Sequence, residues 1–258
     1  MPPFQALTLL QHLRYPSTLS LLGLSRAFGS AAATPSNIEC TRFLPRHPSP
    51  IAPRESPTPL VLIRARGLGL DESSEEREWT TWSAMFAEKG YTAVEIDISV
   101  SAKAEGGSAG ASGPTGLSDP STLPSMAKVL SGQIRLMAVP FPPIVIASGP
   151  SCLLAQTFVG DYPVSGLVML DPPSDEAPKT LKDKSSWPMF NYEPKFPILV
   201  MADKDQVDTL GQRNRVAKAA EDGVSRGGKG VSIETMVDGI RGEKTRTEVE
   251  RWMDRCGY

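Results

Sequence analysis

Six short apolar runs rich in branched residues recur after residue 59: LVLIRA at 60–65, YTAVEIDI at 91–98, PFPPIVIAS ending at 148, VSGLVML at 164–170, PILVMA at 197–202 and VSIETMV at 231–237. Between them lie stretches with helical spacing. Trp79, Trp82 and Phe86 recur at i, i+3 and i+7, residues 123–138 form a second such stretch, and CLLAQTFV at 152–159 is the helix that follows the third run. A polar helix is expected near 207–221, and the closing helix puts Val249, Trp252, Met253 and Cys256 on one face. A strand that is apolar along nearly its whole length must be covered on both sides. Such runs alternating with helices therefore predict a single α/β domain, a doubly wound, mostly parallel sheet with helices on both faces. Roughly 200 ordered residues suffice for one core.

Charge and composition exclude several classes. Lys and Arg total 27 against 29 acids, so no strong field favours nucleic acid or an anionic membrane. No apolar run approaches the ~18–20 residues of a membrane-spanning helix. The cysteines, Cys40, Cys152 and Cys256, are an odd and sparse set that argues against a disulfide framework and fits a reducing compartment. No Cys/His cluster has metal-ligand spacing, and neither a metal nor another cofactor is expected. The two histidines, His12 and His47, both precede the first apolar run, so the domain's chemistry must proceed without a core histidine.

Residues 1–38 contain Arg14 and Arg26, many Leu, Ser and Ala, and, up to Ile38, no acid. Phe4, Leu7, Leu10 and Leu13 recur at helical spacing, which together with the composition matches a mitochondrial transit peptide over 1–33. The rival is a secretory signal with 19–24 as its core, but that core is short and is followed by Arg26. Residues 34–58 then read as a Pro-rich extended linker, 59–258 as the folded domain, and 101–121 as a Gly/Ser-rich flexible loop inside it. The expected address is the mitochondrial matrix.

The stretch IVIASGPSCLLAQTFV at 144–159 runs from a buried strand into a helix through a turn of small residues. PLVLIRARGLG, WTTWSAMFAEKGYTAVEIDI, VSGLVMLDPP and FPILVMADKDQVD stand around it in the matching order. On these segments the chain resembles the α/β-hydrolase fold family over about residues 59–256, with a minimal lid. The resemblance places a nucleophile elbow at 147–151. Ala147 and Ser151 fill its small positions, Ser148 and Pro150 its variable ones, and Gly149 the nucleophile's. Glycine has no attacking group, and Pro150, where the family's backbone oxyanion donor belongs, has no N–H. The triad acid falls on Asp205, with Asp203 as the alternative, and the histidine loop on 238–242, which contains no histidine. The resemblance thus implies a pseudo-hydrolase, and Ser148, Gly149, Pro150, Ser151 and Asp205 read as a vestigial site.

The expectation is a non-catalytic protein that binds protein partners or a ligand. A first alternative is a rewired esterase or thioesterase using Ser148, Ser151 or Cys152. Against it, Cys152 is equally a small buried residue packing helix on strand. A second alternative is a nucleotide or S-adenosylmethionine binder using Gly67, Gly69 and Asp97, but the third glycine is missing and the following loop is acidic. Asp171-Pro172-Pro173-Ser174 resembles an amino-methyltransferase motif without its aromatic residue, and reads better as a strand end. Trp79 and Trp82 could form a partner surface, though their spacing suits a core.

Overall fold

The computed structural model describes residues 38–68, 70, 79–100, 120–175, 188, 190–193, 196–223 and 230–258. The presequence region, most of the Gly/Ser-rich stretch 101–121 and Gly69 lie outside these residues.

Seven strands form one sheet: β1 (Ile38–Arg46), β2 (Ser56–Arg66), β3 (Tyr91–Val100), β4 (Ile144–Ser148), β5 (Gly166–Leu170), β6 (Ile198–Asp203) and β7 (Val231–Met236). Their spatial order is β1-β3-β2-β4-β5-β6-β7, with every neighbouring pair parallel except β1 with β3. The helices are α1 (Thr80–Glu88), α2 (Thr122–Leu136), α3 (Ser151–Asp161), α4 (Lys204–Arg213), α5 (Arg215–Gly223) and α6 (Glu243–Cys256). None of the described helices is long and apolar enough to cross a membrane.

The two sides of each apolar strand feed two separate core layers. Val61, Ile63, Val94, Ile96, Val145 and Ala147 pack with residues of α2 to α5. Leu60, Leu62, Ala93, Ile144 and Ile146 face the other way, against α1 and α6. This is the double coverage that near-continuous apolar runs require. Trp79, Trp82 and Phe86 belong to the second layer and are buried, not a partner surface. Trp79 and Trp82 meet edge to face, with centroids 5.7 Å apart. Their indole N–H groups donate to the carbonyls of Ile63 at 3.1 Å and Ile240 at 3.0 Å, so neither buried donor is wasted.

Two sequence expectations need correction. The first is the linker at 34–58, where residues 38–46 form β1, antiparallel to β3 from Ile38↔Val100 to Arg46↔Ala93. The cause lies in β3, whose Glu95 and Asp97 are 1% and 4% exposed. A buried carboxylate needs a cation. Arg42 Nη2 reaches Glu95 Oε2 at 2.8 Å, Arg46 Nε reaches Glu95 Oε1 at 3.6 Å, and Ser83 Oγ donates to Glu95 Oε1 at 2.5 Å. β1 is therefore held by ion pairs as well as by its half-buried Ile38, Cys40 and Phe43, and a strand so rich in Arg and Pro reads as linker in isolation.

The second correction is the polar helix at 207–221, which is two helices, α4 and α5, broken at Asn214. Asn214 is extended (φ −132°, ψ 121°), and its Oδ1 accepts the N–H groups of Val216 at 3.0 Å and Ala217 at 3.2 Å. Asparagine at that place caps a new helix in preference to continuing the old one.

Candidate functional site

In a parallel sheet of this kind, ligands lie beyond the carboxyl ends of the strands, where the connections leave in opposite directions. β2 is flanked by β3 on one side and β4 on the other, so that place is the end of β2 and β4. It contains Gly67, Leu68 and the turn 148–151.

Gly149 is the apex between β4 and α3. Its φ is +48°, in the left-handed region that other residues adopt only at a cost. Its N–H donates to the Leu170 carbonyl at 2.8 Å, extending the β4–β5 ladder by one rung. A Cβ placed on Gly149 would have no described atom within 4 Å, so the space a nucleophile's side chain would need is open. Pro150 follows as the N-cap of α3 and offers no donor.

The neighbouring hydroxyls and thiol point to structural duties. Ser151 Oγ accepts the Ala65 N–H at 2.9 Å, tying the start of α3 to the end of β2. Cys152 is fully buried, with Sγ 3.8 Å from the Leu170 carbonyl oxygen. Ser148, the last residue of β4, is 7% exposed.

The acid position is also rebuilt. α4 starts at Lys204, directly after β6, so no loop exists to swing an acid toward the apex. Asp203 ends the strand and Asp205 lies in the first turn of α4, both exposed. The acid that does sit inward is Asp171, at the end of β5. It has φ +49°, and its N–H donates to the Met201 carbonyl at 2.7 Å. Burial, then the negative charge of Asp203, push its carboxyl above the usual range, while Arg213 pulls the other way. The sequence signal was present in the Asp171-Pro172 pair but does not distinguish a simple strand end from a strained turn.

The loop expected to hold the histidine is used as a helix cap. Asp238 Oδ2 accepts the Lys244 N–H at 2.8 Å, and Oδ1 accepts the N–H of Thr245 at 3.1 Å and its hydroxyl at 2.8 Å. Desolvation works against the charge on Asp238, but these donors outweigh it and hold the carboxyl below the usual range. Gly242 lies so close that a Cβ there would be 1.8 Å from Asp238 Oδ1. His47, the one described histidine, follows β1 at the opposite end of the sheet, beside a cavity of about 400 Å³ shared with Arg54 and Glu55.

For the nucleotide alternative, Asp97 Oδ2 is taken by Arg64 Nη2 at 2.8 Å, with Arg66 Nη2 at 3.8 Å. Gly67, at φ +78°, lets β2 pass the end of β3: a Cβ there would be 2.8 Å from the Val100 carbonyl oxygen. Both residues therefore have packing reasons to be what they are. Among the described residues, no three acids, cysteines or histidines converge as a metal-binding set.

No protein-family model matches the sequence, and no curated protein matches it. Solved structures do. Thermogutta terrifontis esterase 2 is similar in its apo form, with 11% identity, a TM-score of 0.51, and 87% of this chain and 96% of the esterase covered. The same esterase phosphorylated by paraoxon gives 10% identity and a TM-score of 0.54 over the same shares. Bacillus cereus carboxylesterase gives 9% identity and a TM-score of 0.50, covering 83% of this chain and 94% of that one. At such identities the likeness shows the fold alone, an α/β-hydrolase-like sheet with its helices.

Proposed function

We propose that this chain uses an α/β-hydrolase-like fold without hydrolase chemistry, as a mitochondrial matrix protein that acts by binding a protein partner, as a subunit, assembly factor or scaffold. The observation that carries this reading is the turn at Gly149. The attacking position has no side chain, its N–H is spent on Leu170, and Pro150 has no N–H to give. Acyl transfer needs a nucleophile, a base to activate it and donors for the oxyanion. Loss of one oxyanion donor costs about 10²–10³ in rate. Loss of nucleophile and base together removes the route itself. The acid-poor, Arg- and Ser-containing composition of 1–37 supports the address.

Two experiments test the reading. A fluorophosphonate probe should leave the purified protein unlabelled, and covalent labelling would overturn the non-catalytic assignment. A fluorescent reporter carrying residues 1–38 should enter mitochondria, and one that stays in the cytosol removes the address.

The esterase identity of the structural neighbours favours a second reading, a residual esterase or thioesterase. It would rest on Ser148, Ser151 or Cys152, the hydroxyl and thiol groups nearest the open apex. It expects turnover of an activated ester that at least one of Ser148→Ala, Ser151→Ala and Cys152→Ala abolishes. Unchanged turnover in all three would remove it.

A further inference from the structure

The edge of the sheet at β7 is backed by a charged groove. β7 runs in unbroken register with β6 from Ile198↔Val231 to Asp203↔Met236. No described strand lies on its other side, so alternate backbone N–H and C=O groups face outward. It carries neither of the devices that blunt β1, the register shift between Cys40 and Arg42 and the missing donor at Pro45. An open edge accepts any extended chain, so the side chains around it must select what binds.

Those side chains are predominantly acidic. A groove of about 700 Å³ lies along β7 on its α6 side, and its charged lining is Glu234, Asp238, Glu243 and Glu248 against Lys244 and Arg251. Two of the acids already have cations. Arg255 meets Glu234 at 3.3 Å and Glu248 at 3.2 Å, and Arg251 meets Glu248 at 3.2 Å. Asp238 and Glu243 form no ion pair among the described residues, and Lys244 is a single charge against the two of them. Asp238 is further fixed as an anion by the N–H groups of Lys244 and Thr245 that it accepts. Val237, 70% exposed, adds an apolar step to the same lining.

We propose that β7 receives an extended segment of a protein partner as an added strand, and that this segment alternates basic with apolar side chains. The inference rests on the partner-binding reading above and states the chemistry of the partner. Alternation along β7 sets the pattern. Val231 and Ile233 pack toward the layer of α2 to α5, so a strand laid beside them continues that layer with apolar side chains. Glu234 faces the groove on the α6 side, so side chains pointing that way enter the acidic strip, where Lys or Arg finds Asp238 and Glu243 without a cation. Backbone pairing supplies affinity, and the two rows of side chains supply choice. A second copy of this chain is the wrong occupant, because a twofold axis at β7 brings one acidic lining against another.

Fluorescence anisotropy with the full chain measures this directly. A short labelled peptide of alternating lysine and valine should bind about tenfold more tightly than one of alternating glutamate and valine, and added salt should weaken it. The same lysines and valines arranged in two blocks should bind about tenfold more weakly, because only alternation meets both rows. Glu243→Lys, at an exposed position, should weaken the alternating peptide severalfold. Hydrogen exchange on the unmodified chain locates the contact without any substitution. Amides of β7 that do not pair with β6 should exchange more slowly once the alternating lysine peptide is added. Equal binding of the lysine and glutamate peptides overturns the proposal, and so does lysine-peptide binding that leaves the β7 amides unprotected. A chain that protects those amides by pairing with its own copy also overturns it. A chain that fluorophosphonate labels, yet that takes the lysine peptide at β7, loses the non-catalytic assignment and keeps this one. An unlabelled chain that refuses the peptide does the reverse.

Discussion

Gly149 and Asp171 end neighbouring parallel strands in the same way. Their φ values are +48° and +49°, each is followed by proline, and each donates its N–H to the next strand's carbonyl, Leu170 for one and Met201 for the other. What differs is the side chain. Glycine enters the left-handed region freely and leaves open space above it. Aspartate enters at a cost of about 1 kcal/mol and carries a half-buried carboxyl toward Asp203. The lesson is that the sharp turn belongs to the sheet. It moves the chain off a buried strand without breaking the ladder, and it does so on β5, where the resemblance to the hydrolase fold places no nucleophile. An elbow alone is therefore weak evidence of catalysis.

Substitutions can break this comparison, beginning with the largest effect. Gly149→Val forces a β-branched residue to positive φ and should cost about 3 kcal/mol of unfolding free energy in denaturant titrations. A cost near zero would mean that the apex can relax out of the left-handed region, and that the two turns are not alike. Ser151→Ala should cost about 2 kcal/mol, because it leaves the buried Ala65 N–H without its acceptor. The measurement is again a denaturant midpoint, with slope unchanged.

Gly149→Ser should cost about 1 kcal/mol, since the added atoms enter open space and only the backbone objects. It should remain unlabelled by fluorophosphonate. Labelling would show that a base lies within reach of the apex.

Asp171→Asn should have the smallest effect and the opposite sign, a gain of under about 1 kcal/mol at neutral pH once solvent screening of a half-buried group is allowed for. The sign follows from linkage. The folded carboxyl titrates above its unfolded value, so the folded state holds the proton more tightly. Its penalty is present above the raised value and is lifted as pH falls through it toward the unfolded one. Wild type should therefore gain stability relative to Asp171→Asn on acidification across that window, and the difference should be flat above it. Unfolding free energies of the two proteins at successive pH values will show whether it is.

Much of the fold was legible because it depends on burial. β4, β5 and β6 are apolar on both faces, as is β2 from Leu60 to Ile63, and a covered parallel sheet accommodates them. β1 was not legible, because its affinity for the sheet sits in partners far along the chain, Arg42 and Arg46 with Glu95. The sequence did contain the signal, two acids inside the apolar run YTAVEIDI, which had to find cations somewhere. The split at Asn214 was hidden because a capping asparagine and a helical one look alike until the backbone turns. In the site, the apex at Gly149 could be read from spacing of small residues. The duty of Asp238 could not, since its carboxylate reaches forward to Lys244 and Thr245, beyond the usual capping distance in sequence.

That capping has a further consequence. A histidine introduced at 242 would drive its Cβ into the Asp238 carboxylate, and one at 238 would release the first turn of α6, whose far end buries Trp252 and Met253. An imidazole at either position thus loosens the helix that shields one face of the sheet. Gly149 leaves room for a side chain, whereas the loop from Asp238 to Gly242 is committed to holding the start of α6.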